Sequence, residues 1–191
     1  MQNSEWRNRL KTMKFSRKGD RGETSLLTGE RVSKASLQPE TYGTLDEAAS
    51  ALGLAKAFTK NQKIRQMIEA VQEDLLILGS ELACEVDGDP PRRIHADRTA
   101  RLGTWIEELQ KEVQLPGHFI HPGAHPAGAA VDLGRTIIRR AERRVVVLLE
   151  SKVIQKEILI AYLNRLSSLI FILEIFEINQ SGKSIELAKK D

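Results

Sequence analysis

An all-α fold, a five-helix bundle with an up-down antiparallel path and an irregular N-terminal segment, is the class this sequence predicts. Three observations carry that expectation. Beyond residue 44, apolar residues recur at spacings of three and four over most of the chain, the period of one helix face. Aromatic residues are only 5% of the total, while Leu, Ile, Ala, Glu, Lys and Arg dominate, a balance that favours helices over strands. The breaks between periodic segments are short and rich in Pro and Gly, which sets successive helices side by side in opposite directions. With 191 residues the chain is long enough for one domain with a sizeable core and too short for two full ones.

The elements follow in order. Residues 1 to about 43 are rich in Gly, Lys and Arg with no sustained period, and read as irregular. Thr44-Leu45-Asp46-Glu47 is a capping-box pattern: Thr44 accepts from the N–H three residues on and Glu47 returns the bond, so a first helix is expected from Leu45 to Phe58. A second, from Asn61 to about Cys84, carries Ile64, Met67, Ile68, Val71, Leu75, Leu78 and Leu82 on one face, until Asp87-Gly88-Asp89-Pro90-Pro91 stops it. Asp97 is placed to cap a third helix reaching about Val113, with Leu102, Trp105, Ile106 and Leu109 as its stripe and Pro116-Gly117 as its end. The fourth is expected over Pro126 to Glu150 and the fifth over Val153 to Glu177. This divides the chain into a flexible N-terminus (1–13), a helical domain with an N-terminal phosphate-binding loop (14–177) and a flexible tail (178–191).

Charge and cysteine content narrow the function classes. Lys and Arg total 29 against 26 Asp and Glu, a net charge of +3, too small a surplus to indicate nucleic-acid binding by itself. Cys84 is the single cysteine, which excludes an internal disulfide framework and a multi-cysteine metal site and suits a reducing, cytoplasmic setting. The longest apolar stretch, Ile158 to Phe176, is interrupted by Asn164, Arg165, Ser167, Ser168 and Glu174, so no membrane span is expected. Arg7, Arg9, Lys11 and Lys14 are not followed by an apolar segment and a cleavage site, so they do not form a secretory signal.

Two segments resist a purely structural reading. In the first, Ser16-Arg17-Lys18-Gly19-Asp20-Arg21-Gly22-Glu23-Thr24-Ser25 with Arg31 and Lys34, glycines free the backbone while cations and hydroxyls supply anion partners. A phosphate cradle and an ordinary solvated loop both fit that composition. It is not a Walker loop, because the Gly-x4-Gly-Lys-Ser/Thr order and a preceding strand are both missing. In the second, residues 135–144 hold five arginines and one glutamate. At 100° per residue Arg135, Arg139, Glu142 and Arg143 share about a quarter of the helix circumference, opposite Ile138, Ala141, Val145, Leu148 and Leu149. A polyanion site, an interface network and a solvated face all remain open on this evidence. His118, His121 and His125 are out of helical register across Pro122-Gly123, which disfavours a metal site. Phe119 heads a loop and belongs to no periodic stripe.

Six stretches taken in sequence add a resemblance. Ser16-Arg-Lys-Gly-Asp-Arg-Gly-Glu-Thr24, Thr28-Gly-Glu-Arg-Val-Ser-Lys34, Tyr42-Gly-Thr-Leu-Asp-Glu47, Phe119-Ile-His-Pro-Gly123, Arg135-Thr-Ile-Ile-Arg-Arg-Ala-Glu-Arg143 and Tyr162-Leu-Asn-Arg165 resemble the PduO-type ATP:cob(I)alamin adenosyltransferases in order and separation over residues 14 to 175. Two departures stand out: Lys18 replaces a usual Thr, and His121-Pro-Gly-Ala124 replaces Leu-Pro-Gly-Gly.

The resemblance implies a five-helix bundle assembled as a homotrimer, with ATP bound between subunits, and transfer of the 5′-deoxyadenosyl group of ATP to the cobalt of cob(I)alamin. It implies that Ser16, Arg17, Lys18 and Gly19 with Thr24, Ser25 and Lys34 hold the triphosphate beside a magnesium ion. Arg139, Arg140, Glu142, Arg143 and Asn164 would complete the nucleotide site. Asp46 would pair with Arg135 across the subunit boundary, and Phe119 would lie against the corrin and displace its lower axial ligand. No resident metal site is implied among the side chains. A reductase and a cobalamin-dependent mutase or dehydratase are the protein partners this chemistry implies, with neither nucleic acid nor membrane. A non-catalytic nucleotide-binding or adenosylcobalamin-delivery protein is the rival reading, and a helical nucleic-acid binder a weaker one.

Overall fold

The computed structural model describes residues 17–84, 90 and 92–188; the expected N-terminal segment 1–13 and Ser16 lie outside them. A 3-10 turn, Arg17–Gly19, leads into a small hairpin of β1 (Glu23–Ser25) and β2 (Arg31–Ser33), paired antiparallel. The five long helices follow: α1 (Leu37–Phe58), α2 (Gln62–Leu82), α3 (Ala96–Gln110), α4 (Pro126–Glu150) and α5 (Glu157–Gln180). A second two-residue pair joins β3 (Ile120–His121), before α4, to β4 (Glu186–Leu187), after α5. α1 packs on α2 and α4, and α5 packs on α3 and α4.

The expected stripe of α2 is the core: Ile64, Met67, Ile68, Val71, Leu75, Leu78 and Leu82 are all buried, each worth roughly 1.5–3 kcal/mol against exposure. Asn61 caps this helix by accepting from the Ile64 N–H. α5 is buried almost all round from Leu169 to Ile178 and exposes Ala161, Asn164, Arg165 and Ser168 nearer its start. It is apolar and long enough to pass a length-and-composition test for a membrane span, yet most of that stretch is inside the bundle. α1 and α4 run antiparallel at close approach. A Cβ on Gly134 would stand 2.8 Å from a Leu52 methyl, so only glycine lets the two helices meet there.

Four boundaries differ from the sequence reading. The N-terminal segment is not wholly irregular, since it holds the β1–β2 hairpin. α1 begins at Leu37, about two turns before the expected capping box, with Pro39 in its first turn. Thr44 therefore sits inside the helix, where its hydroxyl donates to the Glu40 carbonyl at 2.7 Å and Thr41 does the same to Leu37 at 2.6 Å. Thr satisfied four residues back cannot act as a cap. His95, not Asp97, is the N-cap residue of α3, and Asp97 stands in the first turn, where its charge still suits the dipole. α5 begins at Glu157 because Ser151–Val153 close α4. Lys152 adopts a left-handed φ of 59°, and the Val153 N–H reaches the Leu148 carbonyl at 2.9 Å, a Schellman ending.

Secondary structure falls within the segment 178–191 set apart as a tail. Ile178 to Gln180 complete α5, β4 pairs with β3, and the Ala188 N–H donates to the Phe119 carbonyl at 2.8 Å.

Candidate functional site

The arginines of α4 divide between two sides of the helix. Arg140 pairs with Glu47 and Arg144 with Glu40, fastening α4 to α1. Arg135 and Arg139 turn the other way, into an open cavity of about 790 Å³ that they share with Asn164, Ser167, Ser168 and Phe171 of α5 and with Gly103, Ile106 and Gln110 of α3. Of the α4 and α5 residues grouped by sequence, Arg135, Arg139 and Asn164 are brought together there. Arg140 is not: its charge is met by Glu47. Glu142 is half-buried and Arg143 exposed, and neither lines the cavity.

Behind Arg135 lies a group the sequence reading missed. Its Nε donates to Asp132 Oδ1 at 2.7 Å, leaving the two terminal nitrogens for whatever enters the cavity. Asp132 is itself next to Glu174 of α5, a carboxyl 1% exposed. Burial first, then the Asp132 charge, push Glu174 up to about 8, with Arg135 opposing. Glu174 is therefore a neutral acid at ordinary pH.

The glycine loop forms a second site. Arg31 organises it, donating to the Lys18 carbonyl at 2.9 Å, to Glu23 at 3.1 Å and to Ser25 Oγ at 3.3 Å. Gly22 holds φ of 80°, a left-handed turn that lets its carbonyl receive the Lys34 N–H at 2.8 Å. A Cβ on Gly19 would sit 3.1 Å from Lys34 Nζ, so the ammonium lies over bare backbone. Arg17, Lys18, Arg21 and Arg31, with Asp20 and Glu23, surround an open depression of about 630 Å³. Thr24 is hydrogen-bonded to Tyr42, whose hydroxyl is raised above its usual range by burial and further by the charge of Asp46. Asp46 is in turn raised by desolvation. Loop and first half of α1 thus form one surface. Arg21, missed as a site residue, was visible as the third cation of the glycine run.

Phe119 is 90% exposed, far from the packing role its residue type suggests. It stands with Pro116, Gly117, His118 and Phe171 around a shallow depression of about 390 Å³. Phe171 lines this depression and the arginine cavity alike, so an aromatic ledge adjoins a cationic chamber. Phe171 follows Asn164 by seven residues and Ser168 by three, the spacing of one helix face. That spacing could have identified it. His125 lies apart as the N-cap residue of α4, its Nδ1 4.0 Å from Glu177. Among the described residues no three His, Cys, Asp or Glu gather as metal ligands would.

The site is thus a helical bundle carrying a cationic glycine loop, an arginine cavity and an exposed aromatic ledge. Over residues 14–177 the chain matches the family model described as cobalamin adenosyltransferase, and it belongs to that family. It is 38% identical over 161 residues to the corrinoid adenosyltransferase PduO of Citrobacter freundii, covering 83% of this chain and 48% of that protein. The chain thus spans about half the length of the PduO relatives it matches. It is also 37% identical over 161 residues to the corrinoid adenosyltransferase of Bacillus subtilis, with 82% of each chain covered. Among solved structures, an arginine-to-lysine variant of a PduO-type adenosyltransferase from Lactobacillus reuteri, complexed with ATP, superposes with a TM-score of 0.84 at 25% identity over 92% of this chain and 100% of that one. A phenylalanine-to-alanine variant from the same organism, complexed with cobalamin and ATP, gives a TM-score of 0.84 at 24% identity over 92% of this chain and 99% of that one.

Proposed function

We propose that this chain transfers the 5′-deoxyadenosyl group of ATP to the cobalt of cob(I)alamin, giving adenosylcobalamin and triphosphate. The observation that carries the proposal is the junction at Phe171, where the chamber holding Arg135, Arg139 and Asn164 meets the ledge carrying Phe119. A nucleotide and a corrin must lie side by side for the transfer, and a cationic chamber next to an exposed aromatic surface provides for both.

In the reaction cobalt(I) attacks C5′, the C5′–O bond breaks, and its electron pair leaves on the triphosphate. Cob(I)alamin is the nucleophile, so the chain needs no activated Ser, Cys or His. Its residues position the reactants and stabilise the departing charge, a task suited to Arg139 and to the cations of the loop. Phe119 shields cobalt from water and from the lower axial ligand. Magnesium would accompany the triphosphate. Asp20 and Glu23, which line the loop depression, are the carboxylates that would stand beside it, and the ion would offset phosphate charge.

The glycine loop and the arginine cavity line separate depressions with no residue in common. We infer a homotrimer in which the loop of one chain closes over the cavity of the next, with Asp46 of one meeting the free terminal nitrogens of Arg135 on the other. The enzyme would act in the cytoplasm, receiving cobalamin from a reductase and passing product to a mutase or dehydratase. The test is anaerobic incubation with ATP and chemically reduced cob(I)alamin, following adenosylcobalamin and triphosphate. Equimolar products are expected. Binding of both ligands without product would replace this reading with that of a delivery protein.

A further inference from the structure

The α4–α5 seam holds two buried carboxyls where packing alone would place apolar side chains. Glu174 is 1% exposed and Asp132 8% exposed, and both Glu174 oxygens lack any donor from the described groups. Asp132, by contrast, accepts Arg135 Nε at 2.7 Å. The charged groups facing Glu174 from α4 are Asp132 and Arg135. On its own helix Glu177 is occupied by Thr59 and stands beside His125. Two adjoining buried carboxylates cannot both carry charge when a single guanidinium serves them. One proton must reside on the pair, and the oxygen with no other donor is the one that keeps it.

We propose that Glu174 is a positioning residue: as a neutral acid it donates to Asp132, fixing that carboxylate on Arg135 Nε and so aiming the terminal nitrogens of Arg135 into the cavity. The geometry gives each step a direction. Asp132 precedes Arg135 by three residues on α4, so a single helix turn holds the pair. Without a second restraint the Asp132 side chain is free to rotate and carry the guanidinium with it. Glu174, anchored on the opposite helix, removes that freedom. When it ionises, the donor becomes a repelling neighbour and Asp132 is pushed from its place. The aim of Arg135 is then set by the protonation of a residue that touches neither ATP nor corrin.

This inference rests on the adenosyltransferase reading for its catalytic consequence, although its structural part stands without it. Three measurements on the 191-residue chain test it, in wild type, Glu174→Gln and Glu174→Leu. Gln keeps a donor and cannot ionise; Leu keeps the volume and donates nothing. Infrared difference spectra should show a protonated carboxylic acid band in wild type that disappears as pH rises through about 8 and is missing from both variants. Nitrogen-resolved NMR should find the Arg135 Nε–H slow to exchange in wild type and Glu174→Gln, and faster in Glu174→Leu. Turnover should fall above that pH in wild type, stay level in Glu174→Gln, and drop about tenfold at every pH in Glu174→Leu. If the acid band is missing at neutral pH, or Glu174→Gln declines with pH as wild type does, the proposal is wrong. If the band and the Arg135 exchange pattern hold but no adenosylcobalamin forms, the functional reading fails and the positioning role survives.

Discussion

Two groups of buried carboxyls at helix seams, Asp74 on one side and the Asp132–Glu174 pair on the other, differ in their surroundings. Asp74 of α2 is 0% exposed and fully supplied with donors. Arg98 pairs with one oxygen, while Arg101 at 2.5 Å and the Tyr162 hydroxyl at 2.7 Å donate to the other. The Tyr162 proton is held well above its usual range, by burial first and then by the Asp74 charge. Three elements, α2, α3 and α5, are joined at this point, and none of the four groups lines the arginine cavity. The Asp132–Glu174 pair has two carboxyls and one arginine, and that arginine opens into the cavity. A buried acid with its donors complete fastens the fold. An acid pair short of donors must keep a proton, and its arrangement then depends on pH.

The largest expected effect breaks the first cluster. Asp74→Ala removes the partner of two arginines and leaves the buried Tyr162 hydroxyl without an acceptor, which should cost about 3–5 kcal/mol in denaturant unfolding. If instead it altered turnover with stability unchanged, the two clusters would have exchanged roles.

A second effect concerns the loop, outside both clusters. Lys34→Ala should weaken ATP binding by about 1.5–3 kcal/mol through loss of a charge-assisted contact, with the midpoint of unfolding nearly unmoved, as calorimetry and melting would record. Unchanged ATP affinity would remove Lys34 from the site.

Glu174 is raised from 4.5 to about 8, so between those values the folded chain holds a proton that the unfolded chain has released. Stability from this group is complete below pH 4.5 and declines as pH climbs towards about 8. Glu174→Gln should flatten that slope and stabilise the protein at neutral pH by roughly 1–3 kcal/mol. Parallel stability–pH curves for the two proteins would contradict it. The smallest effect is expected at Phe119, which is 90% exposed. Phe119→Ala should change stability by less than about 0.5 kcal/mol while reducing four-coordinate cob(II)alamin in spectra of the bound corrinoid. An undiminished four-coordinate signal would make Phe119 ordinary surface.

How much of this was legible in the sequence depended on whether a residue's partner lay on its own helix. The α2 stripe from Ile64 to Leu82 and the bounds of α4, from Pro126 to Glu150, follow from period and from Pro at a helix start. Thr44 misled because the same hydroxyl that can cap a helix can also bond four residues back inside one. Asp74 and Glu174 interrupt apolar stripes, a signal present in the sequence. What they do there is set by Arg98, Arg101, Tyr162 and Asp132 on other helices, which periodicity does not align. Sequence also grouped Arg139 with Arg140, and only the position of α1 shows that Glu47 claims Arg140. The tail was unreadable because β4 takes its order from β3, more than sixty residues earlier.

In the proposed trimer the glycine loop of one chain and the arginine cavity of another serve the same ATP. Mixed oligomers of Lys34→Ala and Arg139→Ala chains test it directly. With ATP held well below the weakened affinity each variant alone should be nearly inactive, but a mixed assembly contains junctions with an intact loop from the Arg139→Ala chain facing an intact cavity from the Lys34→Ala chain. Adenosylcobalamin formation in verified mixed assemblies, well above either parent, is the predicted result. Activity no greater than the average of the two parents would show that loop and cavity of a single chain act together, and would contradict the shared site.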